Sequence, residues 1–95
     1  MKTEHELKCR PEYFARIETG QKTFEIRKND RDFQVGDILI LKEFDPAVGW
    51  PDHGAYESIR AEVVYMTAFA QQDGYVVLGI KVIPTVEEHE DEIPF

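Results

Sequence analysis

Cysteine and serine each occur once in this sequence, and basic residues become scarce in its second half. A lone cysteine, Cys9, excludes an internal disulfide and leaves too few thiolates for a structural zinc site. The single serine, Ser58, gives no basis for a Ser/His/Asp triad. The three histidines, His5, His53 and His89, are too widely spaced for a short metal-ligand motif. A phosphate-binding P-loop, a G-x-G-x-x-G turn and a G-x-S-x-G elbow are all missing, and "NDRDFQVGD" lacks the central glycine and terminal glutamate of a calcium loop. No metal and no cofactor are therefore expected. Apolar runs stay far below the roughly 20 residues of a membrane helix, and "MKTEHELKCR" lacks the apolar stretch of a secretory leader. The expectation is a cytoplasmic protein with no membrane partner.

What is present suffices for one folded domain. The chain has 95 residues, 42% of them hydrophobic and 12% aromatic, enough for a single core and too few for two. Charge is distributed unevenly. Residues 43–95 hold 2 basic and 11 acidic groups, net −9, whereas residues 1–42 hold 9 basic and 8 acidic groups, net +1. Five of the acids fall in "PTVEEHEDEIPF", so residues 1–83 read as the domain and 84–95 as an acidic, flexible tail. An acidic protein is a poor diffuse binder of long duplexes, but a local basic cleft stays compatible with its net charge of −8.

The apolar pattern is mainly that of strands. His5, Leu7 and Cys9 alternate along a first strand, and Cys9 reads as a small buried residue rather than a reactive thiol. Pro11 opens a short helix bearing Tyr13, Phe14 and Ile17 on one face, and Gly20 ends it. Thr23 to Arg27 alternates again, with Phe24 and Ile26 on one face and Thr23, Glu25 and Arg27 on the other. "KNDRD" reads as a loop, "VGD" as a sharp turn into the central strand "ILILKEF", and "DPAVGWPDHG" as a long excursion. An antiparallel pair follows. Ile59, Ala61, Val63, Tyr65 and Phe69 form one apolar row, and Val76, Leu78, Ile80 and Val82 form the other. Five or six strands with one helix after the first predict a mostly β (α+β) domain, closed as a small barrel to hide its edges.

The densest chemistry lies in "GQKTFEIR", which fits G-x-K-x-x-E-x-R at Gly20, Lys22, Glu25 and Arg27. Arg27 offers a planar fork of donors and Lys22 a mobile point charge, and both suit an anion. Glu25 can accept from an exocyclic amine or hold Arg27 in position. Thr23 adds a hydroxyl beside them, and Trp50 in "VGWPDH" is the candidate stacking ring. Plainer readings compete: a surface ion pair with a solvated lysine, and an indole that closes one end of the barrel. Lys28 and Arg31 extend the basic strip, so residues 8–31 carry 7 basic and 4 acidic groups, net +3.

This motif, with "HELKCRPEYFARIETGQKTFEIRKNDRDFQVGDILILKEFDP" and "GYVVLGI" around it, resembles the ASCH domains of the PUA-like superfamily and, within them, the DUF3850 branch. The resemblance implies a PUA-like β-barrel with a cleft beside the motif that binds RNA, a nucleotide or a modified base. Some ASCH relatives are amidohydrolases that deacetylate N4-acetylcytidine with a lysine, a threonine and a glutamate. Lys22 matches their lysine, but Glu25 stands in the threonine's place and the glutamate's insertion is replaced by "AFAQQDGY". A binding module is thus the first expectation, a small amidohydrolase with Lys22 catalytic the second, and a protein-interaction module with an acidic tail the third.

Overall fold

The computed structural model describes residues 2–51 and 58–84. Five strands and one helix follow in the order β1 (Glu4–Cys9), α1 (Pro11–Glu18), β2 (Phe24–Lys28), β3 (Ile38–Glu43), β4 (Ser58–Thr67) and β5 (Tyr75–Val82). They form one curled sheet, β1-β3-β4-β5-β2, in which only the β1–β3 pair is parallel. A parallel neighbour needs a crossover. Here α1 and β2 provide it, and the helix returns onto β3. No described helix is long and apolar enough to cross a membrane. The acidic segment read as a tail lies, from residue 85 onward, outside the described residues.

Local signals place α1. Pro11 occupies its first turn, where a missing N–H costs nothing, Glu12 meets the positive end and Arg16 the negative end. At the C-terminus the Gln21 N–H donates to the Arg16 carbonyl at 2.8 Å and the Gly20 N–H to Ile17 at 3.1 Å. This is a Schellman cap, and Gly20 adopts the φ of +82° that it requires. The motif's glycine therefore stops the helix and aims the chain into β2. Phe14 and Ile17 enter the core, whereas Tyr13 stays 43% exposed.

That core lies inside the curl and joins Leu7, Cys9, Leu39, Leu41, Ala61, Val63, Val76, Leu78 and Phe33. The row on β5 is inward as far as Ile80, but Val82 is exposed. On β4 the apolar row holds only to Val63. A β-bulge between Val63 and Tyr65 shifts the register, so Met66 takes the inward place opposite Leu78 while Tyr65 and Phe69 are exposed. One extra residue in a strand moves every later side chain to the other face.

The sequence predicts a closed barrel; among the described residues β1 and β2 are the two edges of the sheet, which curls into a half-barrel. Side chains bridge the seam between them. Arg27 Nη2 donates to the Lys8 carbonyl at 2.7 Å, and Arg31 Nη1 donates to the Glu6 carbonyl at 3.1 Å. Edge carbonyls that would template aggregation are thus satisfied by guanidinium groups.

At the opposite end "QVGD" is a type II turn, with the Asp37 N–H on the Gln34 carbonyl at 3.1 Å and Gly36 at φ +100°. The Asp37 carboxylate is buried and accepts from His5 Nε2 at 2.9 Å, Gln34 N at 3.0 Å and Thr3 N at 3.3 Å. Burial pushes its pKa up, but the hydrogen bonds from His5 and the two amides outweigh that and leave it below the ordinary 3.8. A depressed carboxylate stabilises the fold above its unfolded-state pKa, and that stability is lost as pH falls through the folded value. Wild-type Tm should therefore drop on acidification below about pH 4 more steeply than that of Asp37→Asn. Parallel Tm profiles for the two proteins would contradict the assignment.

Candidate functional site

The motif residues converge on Glu25. Its partner in β5 is Leu78, and Arg27 lies opposite Val76, both core residues, so this pairing turns the polar face of β2 inward. Glu25 is 4% exposed, while Phe24 and Ile26, the apolar face, are 41% and 50% exposed. An ordinary surface ion pair is ruled out by that burial. Lys22 Nζ lies 3.5 Å from Glu25 Oε1 and Arg27 Nη2 lies 3.6 Å from Glu25 Oε2, one cation for each oxygen.

Each cation is also held from elsewhere. Lys22 Nζ donates to the Phe24 carbonyl at 2.7 Å and sits 4.8 Å and 4.7 Å from the ring centroids of Tyr13 and Phe24. The faces of both rings attract its positive charge. Arg27 is anchored on β1 through the Lys8 carbonyl. The carboxylate is enclosed, and the two cations form its partly exposed rim.

Cys9 completes the floor, with Sγ 3.6 Å from Glu25 Oε2. Burial, then the adjacent Glu25 charge and its hydrogen bond, push the thiol pKa up to about 12 against the pull of Arg27 and Lys22. Such a thiol is a poor nucleophile. In the folded protein Cys9 should resist iodoacetamide at pH 8 and react only after denaturation, as mass spectrometry would show. Rapid alkylation without unfolding would contradict this burial.

The other two expected site residues do not join the cluster. Thr23 is exposed, and its carbonyl takes the Ile80 N–H at 3.0 Å. Trp50 is 43% exposed and packs edge to face on Phe44 with ring centroids 4.7 Å apart. It lines a cleft of about 540 Å³ with Pro11, Glu43 and Asp45. Lys22, Glu25 and Arg27 are not among that cleft's lining residues. Lys8 links the two places, since its carbonyl takes Arg27 and its ammonium lies 4.3 Å from the Phe44 ring centroid.

Sequence reasoning does not bring Cys9 or Tyr13 beside the motif, nor the Lys8 carbonyl onto Arg27, whereas it does extend the basic strip to Arg31. Alternation put Cys9 inside, but nothing local brings it to a residue 16 positions away. Among the described residues no group of three His, Cys, Asp or Glu side chains could hold a metal ion.

A small β half-barrel with one helix, whose inward-facing carboxylate is clasped by two cations at the seam, defines the class of domain. The chain belongs to the family described as a domain of unknown function, DUF3850, whose model matches residues 4–80. It is also similar to the uncharacterized 12.9 kDa protein in the GpA 3′ region of Escherichia phage P2, with 45% identity over 40 residues. That match covers 42% of this chain and 37% of the phage protein's length.

Proposed function

We propose that this domain is a PUA-like binding module of the ASCH type that takes a phosphate-bearing nucleotide or RNA segment at the seam between β1 and β2. The observation that supports this is the pair of cations held on Glu25, Lys22 at 3.5 Å and Arg27 at 3.6 Å, at an edge that also carries Arg31. Glu25 is too enclosed to read a ligand. It orients the cations, whose exposed edges meet the anion, and preorganised donors lower the ordering cost of binding. Such a module would act in the cytoplasm, where RNA and nucleotides are abundant.

Hydrolysis of an acylated nucleoside has weaker support. Lys22 is engaged with Phe24 and Glu25, and Thr23 is exposed rather than gathered beside it. Release of cytidine from N4-acetylcytidine, abolished in Lys22→Ala, would replace binding with catalysis.

Thermal shift across nucleosides, nucleoside monophosphates and short single-stranded RNAs tests the binding reading. Phosphate-bearing ligands should raise Tm in proportion to the logarithm of their concentration above Kd. Lys22→Gln and Arg27→Ala should each reduce that shift, the first without opening the seam. A shift that survives both substitutions would place the site elsewhere.

A further inference from the structure

The seam leaves the cleft beside Trp50 unused. Its volume, about 540 Å³, falls within the range of small-ligand sites. Pro11, Pro51 and the Trp50 indole supply its apolar walls, and its charged lining residues are two carboxylates, Glu43 and Asp45. A local turn builds one side: the Gly49 N–H donates to the Asp45 carbonyl at 2.6 Å, and Gly49 adopts φ +95°. The Asp45 side chain braces that turn by accepting from the Ala47 N–H at 2.8 Å. Glu43 pairs in register with Cys9, and its carboxylate has no hydrogen bond or ion pair among the described residues.

The chemistry of this cleft is the reverse of that at the seam. Two carboxylates repel phosphate, and a purely apolar guest would leave Glu43 desolvated and unpaired. A cation on an aliphatic stem suits the two carboxylates, the indole and the apolar walls together. Beside the cleft, the chain's own Lys8 ammonium lies 4.3 Å from the Phe44 centroid and 5.8 Å from the Trp50 centroid, so the ring shared with the cleft already attracts a cation. Ring faces attract cations, and a nearby carboxylate adds charge-assisted hydrogen bonds.

We propose that the cleft receives an arginine or lysine side chain from a basic peptide segment of a partner protein, with Glu43 bonding the charged head and Trp50 covering the aliphatic stem. None of the cleft's lining residues belongs to the Lys22–Glu25–Arg27 cluster, and the site does not depend on nucleotide binding there.

Trp50 is the only tryptophan in the chain, so its fluorescence reports on the cleft directly. The full-length protein is titrated with acetyl-Gly-Arg-Gly-amide and with the analogue in which uncharged citrulline replaces arginine. The arginine peptide should change Trp50 emission saturably and bind at least about ten-fold more tightly than the citrulline peptide, the difference expected for a charge-assisted hydrogen bond. Glu43→Gln should remove most of that preference, and Glu18→Gln, at an exposed position of α1, should leave it intact. Equal loss in both variants would reduce the effect to diffuse attraction and overturn the site. Equal affinity for free argininamide would overturn the peptide assignment, and a stronger Trp50 response to a short RNA would overturn the cationic ligand.

Discussion

Replacing Glu25 with alanine should destabilise the domain by about 3 kcal/mol and lower its Tm by on the order of 15 °C. The physical cause is asymmetry. Lys22 and Arg27 have side chains only 14% and 24% exposed, and both are placed on the assumption of a carboxylate between them. Removing the anion leaves two like charges facing each other in a poorly hydrated space, and a broken buried pair costs more than an intact one contributes. Glu25→Gln keeps the volume and one acceptor, so it should cost clearly less than alanine. Equal losses in the two variants would mean that shape rather than charge sets the effect. Denaturant unfolding with unchanged slopes would measure both. A loss below about 1 kcal/mol for Glu25→Ala would fit a solvated surface pair and contradict the buried arrangement.

The second large effect lies outside any strand. Phe33→Ala should cost about 3–5 kcal/mol, the usual range for deleting a buried phenyl ring. Phe33 is 1% exposed, and its ring meets His5 edge to face at a centroid distance of 4.8 Å. Its amide donates to Asn29 Oδ1 at 3.0 Å, which fixes the loop that carries it. Losing the ring would open a cavity against His5 and slacken the Asp37 turn on the far side of that histidine. Phe33→Leu should recover more than half of the loss. If Phe33→Ala cost less than 1 kcal/mol, the loop would not be part of the core.

Phe33 also marks where legibility in the sequence ended. "KNDRD" reads correctly as a turn-rich loop, but a single aromatic after it has no period, so no pattern says whether it is inside. Elements with local chemistry were legible: Pro11 and Gly20 bracket α1, alternation puts His5, Leu7 and Cys9 inside, and "VGD" forms its turn. The failures involve distant partners. The bulge at Val63/Tyr65 is invisible in a row of apolar residues, yet it turns Tyr65 and Phe69 outward. Closure of the barrel depended on whether two edges separated by three strands could pair, and arginine side chains bridge them instead.

The candidate site divides along the same line. Grouping Lys22, Glu25 and Arg27 needed only short-range spacing and the strand period. The inward orientation of Glu25 came from pairing with Leu78, a residue 53 positions later. Because of that pairing, the motif's carboxylate is enclosed and its cations form the partly exposed rim. The sequence leaves Trp50 as either a stacking ring for the motif or an indole closing one end of the barrel. In the structure it lines a separate cleft whose charged lining residues, Glu43 and Asp45, are opposite in sign to the rim.

The most direct measurement of the binding account is an NMR titration that follows the Arg27 guanidinium and Lys22 ammonium signals while a nucleoside monophosphate, and then the matching nucleoside, is added. The account predicts saturable shifts of both signals with the phosphorylated compound and little change with the nucleoside at the same concentration. Shifts that ignore the phosphate, or that appear elsewhere on the sheet while these two signals stay still, would contradict it.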